Sequence, residues 1–462
     1  MNAKQQTLKD SVKFSGKGLH TGAAVNLTLN PAEIDFGIKF QRIDLEGQPI
    51  IEADADLVVD VSRGTTIEKD GARVSTIEHV LSALVGLQID NILIQLDGPE
   101  VPIMDGSAIA FVEGIEKAGI IEQNAFRDYI ELDHAVYYND PEREVEIAFL
   151  PLDDYRVTVM VDYNSDVLGS QHATLNEFAD YKKEISPCRT FCFVHELEFL
   201  LSQGLIKGGD LDNAVVVVDR SVKQEDLDRL AKLFGKGDVQ VKEDGCLNNT
   251  NLRFKNEPAR HKLLDVMGDL ALVGKPIKGQ ILAARPGHAA NVELAKRIKK
   301  AYKVKKRTAP KYDPSQKPLL TTSEIYKALP HQPPFQLVDK IIYLDHKSVI
   351  GVKNVSIAEP YFMGHFPGNP VMPGVLQLET MAQVGGIFVL NTVDDPENYW
   401  TYFLGVNECK FRKPVLPGDT LVIRCELLAP IKRGIALMKS EAFVGDTLVC
   451  ETEILANITR KN

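Results

Sequence analysis

Residues 296–318 read KRIKKAYKVKKRTAPKYDPSQKP, and the reading of this stretch decides how the chain is divided. From 296 to 311 it holds nine Lys or Arg and no acid, and its far end carries Pro310, Pro314 and Pro318. Cations favour the last turns of a helix, while prolines withdraw backbone donors and stiffen the chain beyond them toward an extended connection. Residues 305–318 are therefore read as a linker, with 292–300 as the exposed end of a preceding helix and the charge run as a solvated stretch.

Before the linker, VNLTLN, FGIKF, DNILIQL, EVEIAFL, YRVTVMVDY and NAVVVVD alternate or run apolar as strands do, whereas TIEHVLSALVGL, AIAFVEGIEKAG and ARHKLLDVMGDLALVG have helical spacing. The polar stretch IEQNAFRDY (121–129) separates two halves of similar make-up, 1–125 and 126–304, with no residue-level repeat between them. After the linker, residues 319–462 hold one long apolar helix, VLQLETMAQVGGIFVL, among strand-like segments such as QLVDKIIYLD, SVIGVKNV, TYFLGVNECKF, LVIRCELL, IALMKSEAFV and LVCETEILANI. One helix against one antiparallel sheet fits that pattern, and the fold class is α+β.

Composition narrows the function. A chain of 462 residues has room for about three domains, and 44% hydrophobic with 25% charged residues excludes collagen-like and wholly disordered classes. The formal net charge of -11, from 53 basic and 64 acidic side chains, argues against general nucleic-acid binding. Six cysteines form no CxxC pair and the start, MNAKQQTLKD, has no apolar core, so reduced thiols and a cytoplasmic location are expected. The most apolar stretch, GVLQLETMAQVGGIFVL, carries Glu379 in its middle, so no membrane span is expected.

In ARHKLLDVMGDLAL, His261, Asp265 and Asp269 stand four residues apart, along one stripe of a single helix. Taken alone this is a surface His–Asp pair. In VSTIEHVLSALVG, Ser75 and Glu78 fit the S-x-x-E capping box, a purely structural account of the glutamate. A zinc hydrolase, however, needs two or three neutral or anionic ligands and a carboxylate that takes a proton from water. His79, His261 and Asp265, with Glu78 beside them, meet that need and leave one coordination position open. In ARPGHAANVELA, His288 stands at a turn leading into a helix, where Asp269 can orient it and favour its charged form. The glycines of GKGLHTG (16–22) read as a tight hairpin turn rather than a phosphate cradle, since no helix opens there.

STIEH, DGPEVPIMDGSA, CRTFCF, ARHKLLDVMGDL and GHAAN, in this order, closely resemble the UDP-3-O-acyl-N-acetylglucosamine deacetylases, zinc enzymes of lipid A synthesis, over about residues 5–302. The resemblance implies two α/β sandwich subdomains with Zn2+ between them. It implies His79, His261 and Asp265 as ligands, Glu78 as general base, and His288, oriented by Asp269, as the cation that protonates the leaving amine. Thr190 then hydrogen-bonds the oxyanion, while His20, Lys262 and Phe191 bind the UDP-sugar lipid precursor. The segment from Asp219 to Phe254 is longer than this resemblance leads one to expect and is read as an added helical flap.

A second constellation lies beyond the linker. In YFMGHFPGNPVMPGVLQLETMAQ, His365 lies in a Gly/Pro-rich loop and Glu379 on the apolar helix, where burial makes a carboxylate costly and suits a general acid. A glutamate facing solvent or a subunit interface is the plainer alternative. LPHQPPFQLVD, GHFPGNPVMPGVLQLETMAQ and KFRKPVLPGD together resemble the beta-hydroxyacyl-acyl carrier protein dehydratases of the hot-dog fold, over about residues 320–460. That resemblance implies that His365 removes the α proton, Glu379 protonates or orients the departing hydroxyl, and the Gly374 N–H stabilises the thioester enolate. Glu rather than Asp at 379 points to a dehydratase without isomerase activity. Gln332 and Pro333 replace an expected Arg–aromatic pair and Thr380 an expected alanine, which bears on acyl-chain preference. The resemblance also implies a site shared between protomers, hence a homo-oligomer from dimer to hexamer through this domain, and acyl carrier protein as a partner. Lys410, Arg412, Lys413, Lys432 and Arg433, with the basic linker, offer positive charge to an acidic acyl carrier protein or to anionic lipid headgroups. The competing reading is a zinc amidase fused to a thioesterase-type or non-catalytic acyl-binding hot-dog domain.

Overall fold

The computed structural model describes residues 3–461 except 166, 197–212, 221, 223–224, 226, 228–239, 243–244 and 248–250. Most of the expected flap lies outside the described residues. The chain forms two compact units, Met1–Lys306 and Arg307–Asn462.

In the first unit, period-2 alternation builds two sheets. Strand Ala24–Pro31 buries Val25, Leu27 and Leu29 and turns Asn26, Thr28 and Asn30 outward, and it pairs with Val12–Lys17 and Ile92–Leu96. With Ile38–Arg42 and Ile50–Glu52 these complete a five-stranded sheet. A second sheet is centred on Ile277–Ala284, flanked by Val145–Leu150 and Tyr155–Asp162, with Val136–Asp140 and Ser170–Leu175 at its edges. Each sheet belongs to one half of the unit. The polar stretch between the halves is not a loop: Ile120–Phe126 is a strand paired antiparallel with Lys4–Leu8. Its alternating exposure lets a polar sequence satisfy its backbone in a two-stranded ribbon.

Helix Glu78–Gly86 packs against helix Glu257–Leu270, which also lies on strands Tyr155–Asp162 and Ser170–Leu175. The approach requires a glycine: a Cβ at Gly268 would stand 2.0 Å from the Glu78 carbonyl oxygen. Gly268→Ala should therefore force the helices apart at a cost of about 1–3 kcal/mol. Urea unfolding of the first unit checks this, and a midpoint equal to that of the wild type would contradict it.

Helix His288–Arg307 extends through the first three residues of the stretch read as a linker. Its charge run is not simply solvated. Lys299 is buried and donates to Asp54 and Asp56, the latter at 2.8 Å, because the helix lies against the η-turn Ala55–Leu57.

The second unit wraps a six-stranded antiparallel sheet about helix Gly374–Leu390, in the hot-dog arrangement. The strand order is Lys340–Leu344, Ser348–Asn354, Thr420–Leu427, Ile435–Val444, Thr447–Arg460, Tyr399–Phe411. From Thr380 onward the helix is buried almost all round, with Met381, Val384, Ile387 and Phe388 in the core, which accounts for an apolar sequence without a polar face. Among the described residues no helix is long and apolar enough to cross a membrane.

Candidate active sites

The helix pair of the first unit brings His79 together with His261 and Asp265, which lie far from it in sequence. One ligand atom each of His79, His261 and Asp265 lies within 4.8 Å of the other two, and all three residues are buried. His261 Nε2 is 3.4 Å and His79 Nε2 3.8 Å from Asp265 Oδ1, and the two imidazoles meet edge to face at 5.0 Å. Asp265 Oδ1 is buried without a hydrogen-bond partner among the described residues, while Oδ2 accepts from Lys262 at 2.9 Å. Two imidazoles and a carboxylate oxygen converging without donors of their own are the donor set for a borderline cation such as Zn2+.

The neighbours fix the orientation of this set. His261 Nδ1 donates to the Cys188 carbonyl at 3.0 Å, which turns Nε2 toward Asp265. The Cys188 segment is itself clamped: Glu257 Oε1 accepts from the Arg189 backbone N–H at 3.0 Å and from its Nε at 2.9 Å. Burial, reinforced by His261, pushes His79 down to about 3, and burial likewise lowers His261, so both rings are neutral at neutral pH. Burial opposes ionisation of Asp265, but Lys262 and the surrounding histidines outweigh it and hold the carboxyl below the usual carboxylate range.

Glu78 does not cap its helix through a side-chain box with Ser75. The N-cap position is Ile77, without a side-chain cap bond, and the Ser75 hydroxyl instead accepts from Thr66 at 3.0 Å. The carboxylate turns inward and accepts the Thr65 N–H at 3.0 Å, because the helix starts inside the unit rather than at its surface. Burial raises Glu78 to about 7, with the His288 charge acting against it. His288 Nδ1 lies 2.9 Å from Asp269 Oδ2, which also accepts from Asn291 at 2.8 Å; Asp269 Oδ1 accepts the Thr65 hydroxyl. Burial disfavours the imidazolium, yet the Asp269 carboxylate overcomes it and raises His288 to about 9. A base that ionises near neutrality and an acid that stays charged there are thus set side by side.

The remaining expected residues border this centre. The Phe191 ring is 6.4 Å from that of His261 and 5.8 Å from Lys262 Nζ. Thr190, next to it, is held by its N–H on the Gly106 carbonyl at 2.7 Å. His20 Nε2 donates to the Arg63 carbonyl at 3.2 Å, two residues before Thr65. Sequence reasoning missed Thr65, Asn291 and the Cys188 carbonyl. Only Asn291, three residues after His288 in the GHAAN motif, carried a signal that could have found it.

In the second unit, His365 Nδ1 donates to the Val371 carbonyl at 2.8 Å, so in the neutral ring Nε2 is the free base. Glu379 Oε1 accepts from Gln383 Nε2 at 2.8 Å and lies 3.5 Å from His331 Nε2. Gln383 is fixed in turn, accepting the Leu337 N–H at 2.8 Å and donating to the Phe335 carbonyl at 2.7 Å. Gly374 starts the helix, and a Cβ there would stand 2.8 Å from the Phe411 ring. Among the described residues no hydrogen bond or ion pair joins His365 to Glu379 within one chain. Sequence reasoning also missed His331 and Gln383, although they stand in the LPHQPPFQLVD and GHFPGNPVMPGVLQLETMAQ motifs.

Residues 5–234 and 235–300 match the family model for UDP-3-O-acyl N-acetylglycosamine deacetylase, LpxC, and residues 329–453 match that of the FabA-like domain. The chain is 51% identical over 441 residues to a bifunctional enzyme LpxC/FabZ of Bacteroides thetaiotaomicron, with 96% of each chain covered. The identity is 49% with the protein of the same description from Porphyromonas gingivalis, again over 96% of both chains, and 47% with that from Chlorobaculum tepidum, over 95%.

Proposed function

Since the chain belongs to the bifunctional LpxC/FabZ family, we propose that its first unit removes the N-acetyl group of a UDP-3-O-acyl-N-acetylglucosamine and its second dehydrates (3R)-hydroxyacyl-acyl carrier protein. It is an enzyme with deacetylase and dehydratase activities, which act in lipid A and fatty acid synthesis. The observation that carries the residue assignment is the buried meeting of His79, His261 and Asp265 beside Glu78 and the His288–Asp269 pair.

His79, His261 and Asp265 would hold Zn2+, which, when bound, acidifies water to a pKa of about 7 and polarises the amide carbonyl. Glu78 takes the proton of the attacking water. His288, kept charged by Asp269, gives a proton to the departing amine, and acetate leaves. Thr190 steadies the developing oxyanion, and Phe191, Lys262 and His20 hold the sugar nucleotide. In the second unit His365 Nε2 takes the α proton, Glu379 protonates the departing hydroxyl, and the Gly374 N–H receives charge from the thioester carbonyl. That no hydrogen bond or ion pair joins His365 to Glu379 among the described residues supports a dehydratase site completed by a second copy, and so a homo-oligomer. A UDP-linked sugar and an acyl carrier protein thioester as substrates support a cytoplasmic location.

The test is acetate release as a function of pH, with and without a chelator. Glu78 must be ionised, so kcat/KM should fall as pH drops through about 7; His288 must be protonated, so it should fall again as pH rises through about 9. Chelation should abolish acetate release and spare dehydration. A flat profile over that range, or dehydration lost together with deacetylation, would count against the assignment.

A further inference from the structure

We propose that Arg63, with His20 beside it, seats the diphosphate of the nucleotide-sugar substrate, an inference that rests on the deacetylase reading of the first unit. The seat is built from a buried anchor. Glu100, 1% exposed, accepts from the His20 N–H at 2.9 Å, the Thr21 N–H at 2.9 Å, the Thr21 hydroxyl at 2.7 Å and the Thr76 hydroxyl at 3.0 Å, which fixes the 16–22 turn. The turn delivers His20 Nε2 to the Arg63 carbonyl at 3.2 Å. Immediately after Arg63, a Cβ at Gly64 would stand 2.8 Å from Glu78 Oε1, and Thr65 bonds both Glu78 and Asp269. Arg63 is therefore held at the edge of the deacetylase centre.

Two atoms of this arrangement are left over. Arg63 Nη1 and His20 Nδ1 are both buried without a hydrogen-bond partner among the described residues, and Arg63 forms no ion pair there. A buried guanidinium N–H without an acceptor is costly, and such groups in a native structure point to something that binds them. Lys262, another cation at the centre, is already engaged by Asp265 at 2.9 Å, and His288 by Asp269 at 2.9 Å. In the substrate the diphosphate is attached to the sugar carbon next to the one that carries the acetamide. A site that reacts at the amide must accordingly present a cation close by, and a planar guanidinium matches phosphate oxygens better than an ammonium does. His20 adds a complementary group. Its Nε2 carries the hydrogen given to the Arg63 carbonyl, so the neutral ring offers Nδ1 as an acceptor for a sugar hydroxyl.

Isothermal titration of the full-length zinc-loaded protein with UDP and with uridine, at one ionic strength, tests the seat. Arg63→Gln should weaken UDP by about 10- to 100-fold, the worth of a charged hydrogen bond, and uridine by less than about twofold. Arg63→Lys, which keeps the charge without the fork, should fall between Gln and wild type for UDP, and it decides the matter if the Gln variant folds poorly. UDP affinity within about twofold of wild type in the variant measured, or equal losses for UDP and uridine, overturns the proposal. A protein that binds UDP through Arg63 but leaves the N-acetyl group intact would sink the deacetylase reading and not the seat.

Discussion

The Asp265→Ala variant should lose its metal and about three orders of magnitude in deacetylase kcat/KM, while dehydrating hydroxyacyl substrate at the wild-type rate. Asp265 contributes the only anionic oxygen among the three converging ligand atoms, 3.4 Å from His261 Nε2 and 3.8 Å from His79 Nε2. It is also the partner of the Lys262 ammonium at 2.9 Å. With alanine there, two neutral imidazoles face an unbalanced cation, an environment that repels a divalent ion. Losing electrostatic stabilisation worth roughly 4 kcal/mol corresponds to about a thousandfold in rate. Metal content by atomic absorption and acetate release from the UDP-linked substrate measure the two effects separately. Retained metal with acetate release above about a tenth of wild type would sink the ligand assignment.

His365→Ala should produce the reverse pattern: dehydration down by about 10²- to 10⁴-fold, the usual worth of a general base, with metal content and acetate release intact. The Val371 carbonyl fixes the ring through Nδ1 at 2.8 Å and leaves Nε2 to act, so the substitution removes the base while the 364–371 loop keeps its backbone bonds, among them Val371 N–H to the His365 carbonyl at 3.0 Å. Glu379→Gln is the companion variant, because the Gln383 and His331 contacts that hold the carboxylate end on an oxygen the amide retains. Spectroscopic assay of enoyl formation on both variants decides the matter. Dehydration within about tenfold of wild type, or acetate release declining in parallel, would refute two independent centres.

Much of the architecture was legible in linear order. The strands of both units announced themselves by period-2 alternation, and the apolar helix Gly374–Leu390 by its unbroken hydrophobicity, because burial on one or all sides leaves a periodic mark. The four-residue spacing of His261, Asp265 and Asp269 likewise follows from helical geometry. Where local rules misled, a tertiary partner had won. Ser75 and Glu78 have the spacing of a capping box, yet the glutamate is drawn to the Thr65 N–H, and Lys299, in a run read as solvated, is buried against Asp54 and Asp56.

Element types, the two-unit division and the identity of most side chains that meet in the candidate sites were thus set by residue order, since propensity, periodicity and short motifs act within a few residues of themselves. Tertiary structure alone decided the chemistry those side chains can perform. Glu78 ionises near neutrality because the folded protein removes water from it, and His288 stays charged because Asp269, placed against it, outweighs the same burial. Thr65 and Cys188 acquire their contacts from an amide and a carbonyl group brought close by packing, and a backbone dipole carries no signature in the letters of a sequence.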